Sequence, residues 1–177
     1  QKRALAEELG ADALQLLAPR RAVGGACTSE ELLRYFEAVI AETSLPIVLY
    51  LNAGPGADVS ITDTIELAKL DRITMIKESS RDLSRVGRLI AEVDRAGHAR
   101  YLTTVQMLLA TLELGGSGVT LPPPAALLAD RIITAWVAGD VAEAARLQQQ
   151  FRTYPSRWMH RGLMPAMKAS LELLGVP

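Results

Sequence analysis

An α/β protein built on a parallel sheet is predicted by three features of this 177-residue sequence. Short continuous apolar runs, of which Ile47-Val48-Leu49-Tyr50-Leu51 is the clearest, have the length and character of strands buried on both faces. Between them lie segments whose apolar residues recur at helical period, with turn residues at each change of period. Strands that alternate with helices in this way pair in parallel through right-handed crossovers. Five strands fit either an open doubly wound sheet or five-eighths of a closed barrel. No G-x-G-x-x-G follows the first strand, and Gly54-Pro55-Gly56 is a weak phosphate turn, so the nucleotide-binding version loses weight.

The chain starts inside a helical pattern (Ala4, Leu5, Ala6, Leu9) that Gly10 stops, and it starts at Gln1 with no Met. We therefore expect an N-terminal portion of a larger protein to precede it. Without that portion the first strand is an unpaired edge and the last lacks a neighbour, so the piece alone is expected to be inactive and aggregation-prone. The first strand is Ala13–Ala18, ended by Pro19. Thr28 and Glu31 have capping-box spacing, and Leu32, Leu33, Phe36, Val39 and Ile40 follow at helical period. Pro46 opens the strand 47–51. Ser60 with Asp63 caps a helix through Leu70, and Arg72 to Lys77 forms a third strand. Asp82 begins a helix ended by Gly97, and Arg100–Thr103 is a weak fourth strand. Helix 105–114 stops at Gly115-Gly116, and Gly118–Leu121 is the fifth strand. After Pro122-Pro123-Pro124 the chain is wholly helical, over 125–138, 140–153 and 160–174, with Pro165 near the start of the last.

Composition excludes several function classes. Just under half the residues are apolar, 22% are charged and the formal net charge is −1. This balance provides no electrostatic reason to expect nucleic acid or an anionic membrane as partner. No apolar run approaches the ~20 residues of a membrane span. One cysteine, Cys27, leaves no intrachain disulfide framework and reads as a loop thiol; with only His98 and His160 beside it, no metal-ligand spacing arises. The expectation is a cytoplasmic protein without metal or cofactor.

Parallel α/β sheets bind ligands at the C-terminal ends of their strands. Among the residues there, Lys77 stands out, because it ends an apolar strand. Partial desolvation in a barrel interior disfavours the charged ammonium, and a neutral amine is what attack on a ketone requires. The alternative is a strand-end lysine paired with Glu78 or another surface carboxylate. Tyr50 ends the preceding strand, near enough across the sheet to relay a proton; alternatively its ring packs in the core and its hydroxyl meets water. Trp136, Tyr154 and Trp158 read as packing or subunit-contact residues, and the charged residues of 81–96 and 140–152 as solvated faces.

Three stretches resemble the dihydrodipicolinate synthase / N-acetylneuraminate lyase family of class I aldolases: Gly10-Ala11-Asp12-Ala13, Leu45-Pro46-Ile47-Val48-Leu49-Tyr50, and Met75-Ile76-Lys77-Glu78-Ser79-Ser80 with Asp82-Leu83. Leu114 to Val119 and Met167 to Gly175 add to the likeness, which runs over nearly the whole chain. The resemblance implies a (β/α)₈ barrel with extra C-terminal helices, here lacking the N-terminal strands. Residues 1–122 would be the C-terminal part of the barrel, and 123–177 the closing helix and helical extension. It further implies a Schiff-base lyase, aldolase or dehydratase, acting on pyruvate or another 2-keto acid, with Lys77 as nucleophile and Tyr50 as proton shuttle. Assembly as a homotetramer or dimer is implied as well. Thr120, Thr103, Arg21 and Asn52 are the expected substrate contacts. Arg20-Arg21 stands where the synthases carry paired tyrosines, and the loop Asn52–Asp58 has no arginine for a second substrate's carboxylate. A lyase of a sugar acid or other 2-keto acid, or a dehydratase, therefore fits better than the synthase reaction. A non-catalytic relative that binds a keto acid or a protein partner is the other alternative.

Overall fold

The computed structural model describes residues 2–21, 23, 25–51, 58–153 and 162–176. Five strands form one sheet: β1 (Leu14–Leu17), β2 (Ile47–Leu51), β3 (Ile73–Glu78), β4 (Arg100–Thr104) and β5 (Gly118–Thr120). Every neighbouring pair is parallel, and the order in space is the order in sequence. That order decides between the two architectures. A doubly wound sheet reverses direction at a switch point; here each strand adds to the same edge, as in an arc of a β/α barrel.

The helices are α1 (Lys2–Glu8), α2 (Ser29–Ile40), α3 (Ile61–Ala68), α4 (Leu83–Leu89), α5 (Leu108–Glu113), α6 (Ala126–Val137), α7 (Val141–Gln148) and α8 (Leu163–Leu173). Their starts follow the sequence signals. Thr28 and Glu31 form the capping box of α2, Ser60 caps α3 by accepting from the Asp63 N–H, and Asp82 caps α4 by accepting from the Ser84 and Arg85 N–H groups. Three expected helices are less regular than their patterns. The one expected over 140–153 is α-helical only through Val141–Gln148 and ends in a 3₁₀ stretch, Gln149–Thr153. The one opened by Asp82 continues from α4 as a π-helical turn, Ile90–Asp94, whose last residue accepts from Tyr101 N, Ser117 N and Ser117 Oγ. The one expected from residue 105 begins with a 3₁₀ turn, Val105–Met107. Tyr154 and Trp158 lie outside the described residues; Trp136 packs against a buried cluster that includes Ile132, Leu147 and Phe151.

Burial alternates along the strands. Ile47, Leu49 and Leu51 are buried against the helical layer, while Val48 and Tyr50 face the other side. The strand expected to be weak, β4, carries Tyr101 with no exposed surface. One irregularity matters for the site. Ile47 pairs with Ile73, yet Val48 pairs with Met75, so β3 holds one extra residue, Thr74, in a bulge. The shift brings Lys77 opposite Tyr50, on the face that looks into the barrel.

Two side-chain arrangements fix the ends of the arc. Glu7 of α1 accepts from Thr43 Oγ1 (2.7 Å), Ser44 N (2.6 Å) and Ser44 Oγ (3.0 Å), which ties α1 to the turn before β2. These bonds, that of Thr43 first, hold the Glu7 carboxyl below its ordinary value of 4.5. A group with a lowered folded pKa contributes stability that is complete above its unfolded value and fades as pH falls through the folded one. Glu7→Gln should therefore lower the urea midpoint fully at pH above about 4.5 and progressively less in more acidic buffer. At the other end, Gly116 has no room for a side chain: a Cβ would lie 2.8 Å from Thr111 Cγ2 and 2.9 Å from Ile90 Cδ1. Gly116→Ala should cost about 1–3 kcal/mol by overpacking in chemical denaturation; an unchanged midpoint would show that Ile90 and Thr111 can yield.

Candidate active site

The C-terminal ends of β3, β4 and β5 open onto a cavity of about 440 Å³. Lys77, Ser79 and Arg81 line it from β3 and its following loop, Thr104, Val105 and Gln106 from β4, and Thr120 to Pro123 from β5; Leu163 and Met167 reach it from α8. Lys77 is half-buried, and its Nζ lies 4.0 Å from the centroid of the Tyr50 ring. Tyr50 is outside the cavity lining and meets it through Lys77.

The alternative partner for Lys77, Glu78, is excluded by strand geometry. Successive side chains on a strand point to opposite faces, and Glu78 turns outward, where it is 2% exposed. There it accepts from Arg85 Nε (2.9 Å) and from Ser80 N (2.9 Å). Arg85 also donates to Val59 O and Thr64 Oγ1, so one guanidinium links β3, α3 and α4. Tyr101 is buried beside this pair, its hydroxyl near Glu78 but without a hydrogen bond of good geometry among the described residues. Burial first, and then the Glu78 charge, push that phenol well above its usual range. Arg85 thus departs from the expectation of a solvated face over 81–96. Its signal in the sequence was only a strand-end Glu followed seven positions later by an Arg at a helix start.

The expected substrate contacts divide. Thr120 lines the cavity, and its Oγ1 donates to Thr103 O (3.3 Å). Thr103 does not reach it: the side chain is 1% exposed on the helical face and hydrogen-bonds Thr111 Oγ1. Its neighbour Thr104 takes the inward position, paired in register with Thr120, and its Oγ1 is buried without a hydrogen-bond partner among the described residues. No signal in the sequence separates the two threonines, because Tyr101 and Leu102 before them are both apolar and mark neither face as the inward one. Arg21 also lies away from the cavity lining. Its guanidinium holds both Glu31 oxygens at 2.7 Å, bracing the capping box of α2. This contact, with the Thr28 N–H, keeps the Glu31 carboxyl below its ordinary value. Asn52 lies outside the described residues.

Arg72 and Arg81 are the described non-glycine residues with left-handed backbone, at φ 67° and 59°. That conformation costs an ordinary residue about 1–2 kcal/mol. Arg72 sits before β3, at the end of the sheet away from the cavity, and donates from its side chain to Ser44 O. Arg81 sits in the loop that follows Lys77.

The sequence pattern of the "Dihydrodipicolinate synthetase family" matches residues 1–177. The chain belongs to that family. Similar members include the 4-hydroxy-tetrahydrodipicolinate synthases of Moorella thermoacetica, 29% identical over 176 residues, and Halalkalibacterium halodurans, 30% identical over 184. Each alignment covers 97% of this chain but only 59% and 58% of the relative, so the chain spans less than two thirds of these family members. Among solved structures, YagE of E. coli K12, a prophage protein of the dihydrodipicolinic acid synthase family crystallised with pyruvate, superposes with a TM-score of 0.83 at 28% identity. That superposition covers 99% of this chain and 60% of YagE. N-acetylneuraminate lyase from Mycoplasma synoviae shares the fold, with a TM-score of 0.81 at 24% identity, covering 99% of this chain and 58% of the lyase. The family thus agrees with the barrel topology that the strand order establishes.

The Glu78–Arg85 pair fixes the loop that follows Lys77. Removing one partner of a buried ion pair strands the other charge, so Arg85→Ala should cost about 3 kcal/mol in urea denaturation. The double change Glu78→Gln, Arg85→Met should recover much of that loss. A cost for Arg85→Ala within experimental error would mean that the pair does not brace the loop.

Proposed function

We propose that this chain carries the imine-forming part of a class I lyase acting on a 2-keto acid. The observation that carries the reading is the placement of Lys77. It ends a barrel strand on the inward face, lies against Tyr50, opens onto the cavity, and has no carboxylate partner among the described residues. The Lys77 amine adds to the C2 carbonyl and water leaves, giving an imine that takes up a proton. In aldol cleavage the C3–C4 bond breaks, and its electron pair passes into the cationic imine as an enamine. The C4 hydroxyl gives its proton to the Tyr50 relay and departs as an aldehyde. Protonation at C3 and hydrolysis then release pyruvate and restore the amine. In dehydration the same imine acidifies the C3–H bond, and the C4 hydroxyl leaves as water. Such a site asks of the protein a positioned nucleophile and a positioned proton carrier, and Lys77 and Tyr50 are the side chains suited to these roles.

Thr104 and Thr120 line the same cavity as Lys77, which supports a role for them toward a bound acid. Family membership supports assembly as a homodimer or homotetramer and a division of the chain into a barrel segment, 1–122, and a closing helix with helical extension, 123–177.

Intact-mass analysis of the full-length protein after pyruvate and sodium borohydride tests the reading. We expect an irreversible adduct that maps to Lys77 and is absent from Lys77→Ala. Tyr50→Phe should still trap pyruvate, yet turn over 2-keto-acid aldols about 10²–10⁴-fold more slowly, the range of general acid–base catalysis. A folded protein that forms no adduct would instead be the non-catalytic relative.

A further inference from the structure

The cavity carries two cations and no carboxylate among its described lining residues: Lys77 and Arg81. A keto-acid lyase engages one of them, Lys77, covalently as the imine. Arg81 remains. Its side chain makes no hydrogen bond or ion pair with any described residue, although its backbone is held at φ 59°, a conformation that bulky residues rarely adopt. The contrast with Arg72 is informative. That arginine has the same backbone conformation at the opposite end of the strand, but its side chain is engaged with Ser44 O, which accounts for it structurally. No such contact with a described residue engages Arg81, and unusual backbone of this kind clusters at active sites and ligand clamps.

Position then suggests which part of a ligand Arg81 meets. Lys77 pairs in register with Leu102, and Thr104, two residues further on, pairs with Thr120, so both hydroxyls stand at the strand ends just beyond the level of Lys77. Arg81 is four residues past Lys77, in the loop beyond the strand, and the apolar Leu163 and Met167 of α8 line the same cavity. A substrate tethered at Lys77 shares this cavity with those apolar side chains and with Arg81, which stands past the strand end. The geometry points to Arg81 as the specificity residue for a second acidic group at the far end of the substrate, so that the preferred ligand is a 2-keto acid with a distal carboxylate. A planar guanidinium suits that group, since it holds a carboxylate through two parallel hydrogen bonds. This assignment rests on the imine chemistry proposed for Lys77.

The test uses keto acids that differ only at the far end: 2-oxoglutarate against 2-oxopentanoate, and 2-oxoadipate against 2-oxohexanoate, with pyruvate as reference. Borohydride trapping of the full-length protein is followed against concentration. Half-saturation by at least one diacid should come at about 10- to 100-fold lower concentration than by its monoacid partner, the size of a charge-assisted hydrogen-bonded contact. Arg81→Gly and Arg81→Asn both suit the left-handed backbone, and circular dichroism checks their fold. Either change should abolish the diacid preference, and Arg81→Lys should restore part of it. Trapping of pyruvate with no diacid preference in the parent protein, or an equal loss for diacid and monoacid in the variants, overturns the Arg81 assignment and leaves the imine reading standing. Failure to trap pyruvate at all removes both.

Discussion

The register of β3 against β2 is the constraint on which the site depends. Ile47 and Ile73 are paired and both buried against the helices, so a regular ladder would place Lys77 opposite Leu51, facing the helical layer. The extra residue at Thr74 changes the parity of the strand. Lys77 then faces inward beside Tyr50, and Glu78 faces the helices. Because strand side chains repeat with period two, a slip of one residue exchanges the two faces completely. One bulge therefore decides whether the amine opens onto the cavity or is driven into the packed layer.

The two faces of the strand end then take different work. Outside, Glu78 and Arg85 form a buried pair whose remaining hydrogen-bonding capacity is taken up by Ser80 N, Val59 O and Thr64 Oγ1. Such a pair adds little net stability over an apolar replacement, because desolvating both charges offsets their attraction. Its main effect is geometric. It joins β3 to α3 and α4 immediately beside Lys77, and Asp82 anchors the far side of the loop by capping α4. Inside, the cavity is lined by hydroxyls, apolar side chains and cations. The Lys77 amine is carried on a strand and Arg81 on the loop beyond it, and in barrels of this kind ligand sites are built from strand ends and the loops that follow them.

Much of this was legible in the sequence where local and global preferences agree. The apolar run 47–51 matches the strand residue for residue, and the caps at Thr28, Ser60 and Asp82 are visible because an N-cap needs an oxygen side chain at one position. Tyr50 and Lys77 were readable as strand-end residues. Thr103 against Thr104 was not, because a weak, short strand does not reveal which of two adjacent threonines faces inward. Arg21 pairs with Glu31, ten residues on and across the loop, a contact that the local pattern does not record. Arg85 looked solvated because its partner lies in a different element, and no helical periodicity records that contact.

The sequence by itself determined the alternation of strands and helices, the positions of most helix starts, and the two residues at the centre of the proposed chemistry. These follow from interactions between residues close along the chain and from the period of the apolar pattern. Tertiary structure decided that the sheet is an arc of a barrel, that Lys77 rather than Glu78 faces inward, and that Arg81 and Thr104 share its cavity while Arg21 and Thr103 do not. Those outcomes depend on strand order, a one-residue bulge and contacts between distant elements. Such quantities exist only once the strands are set side by side.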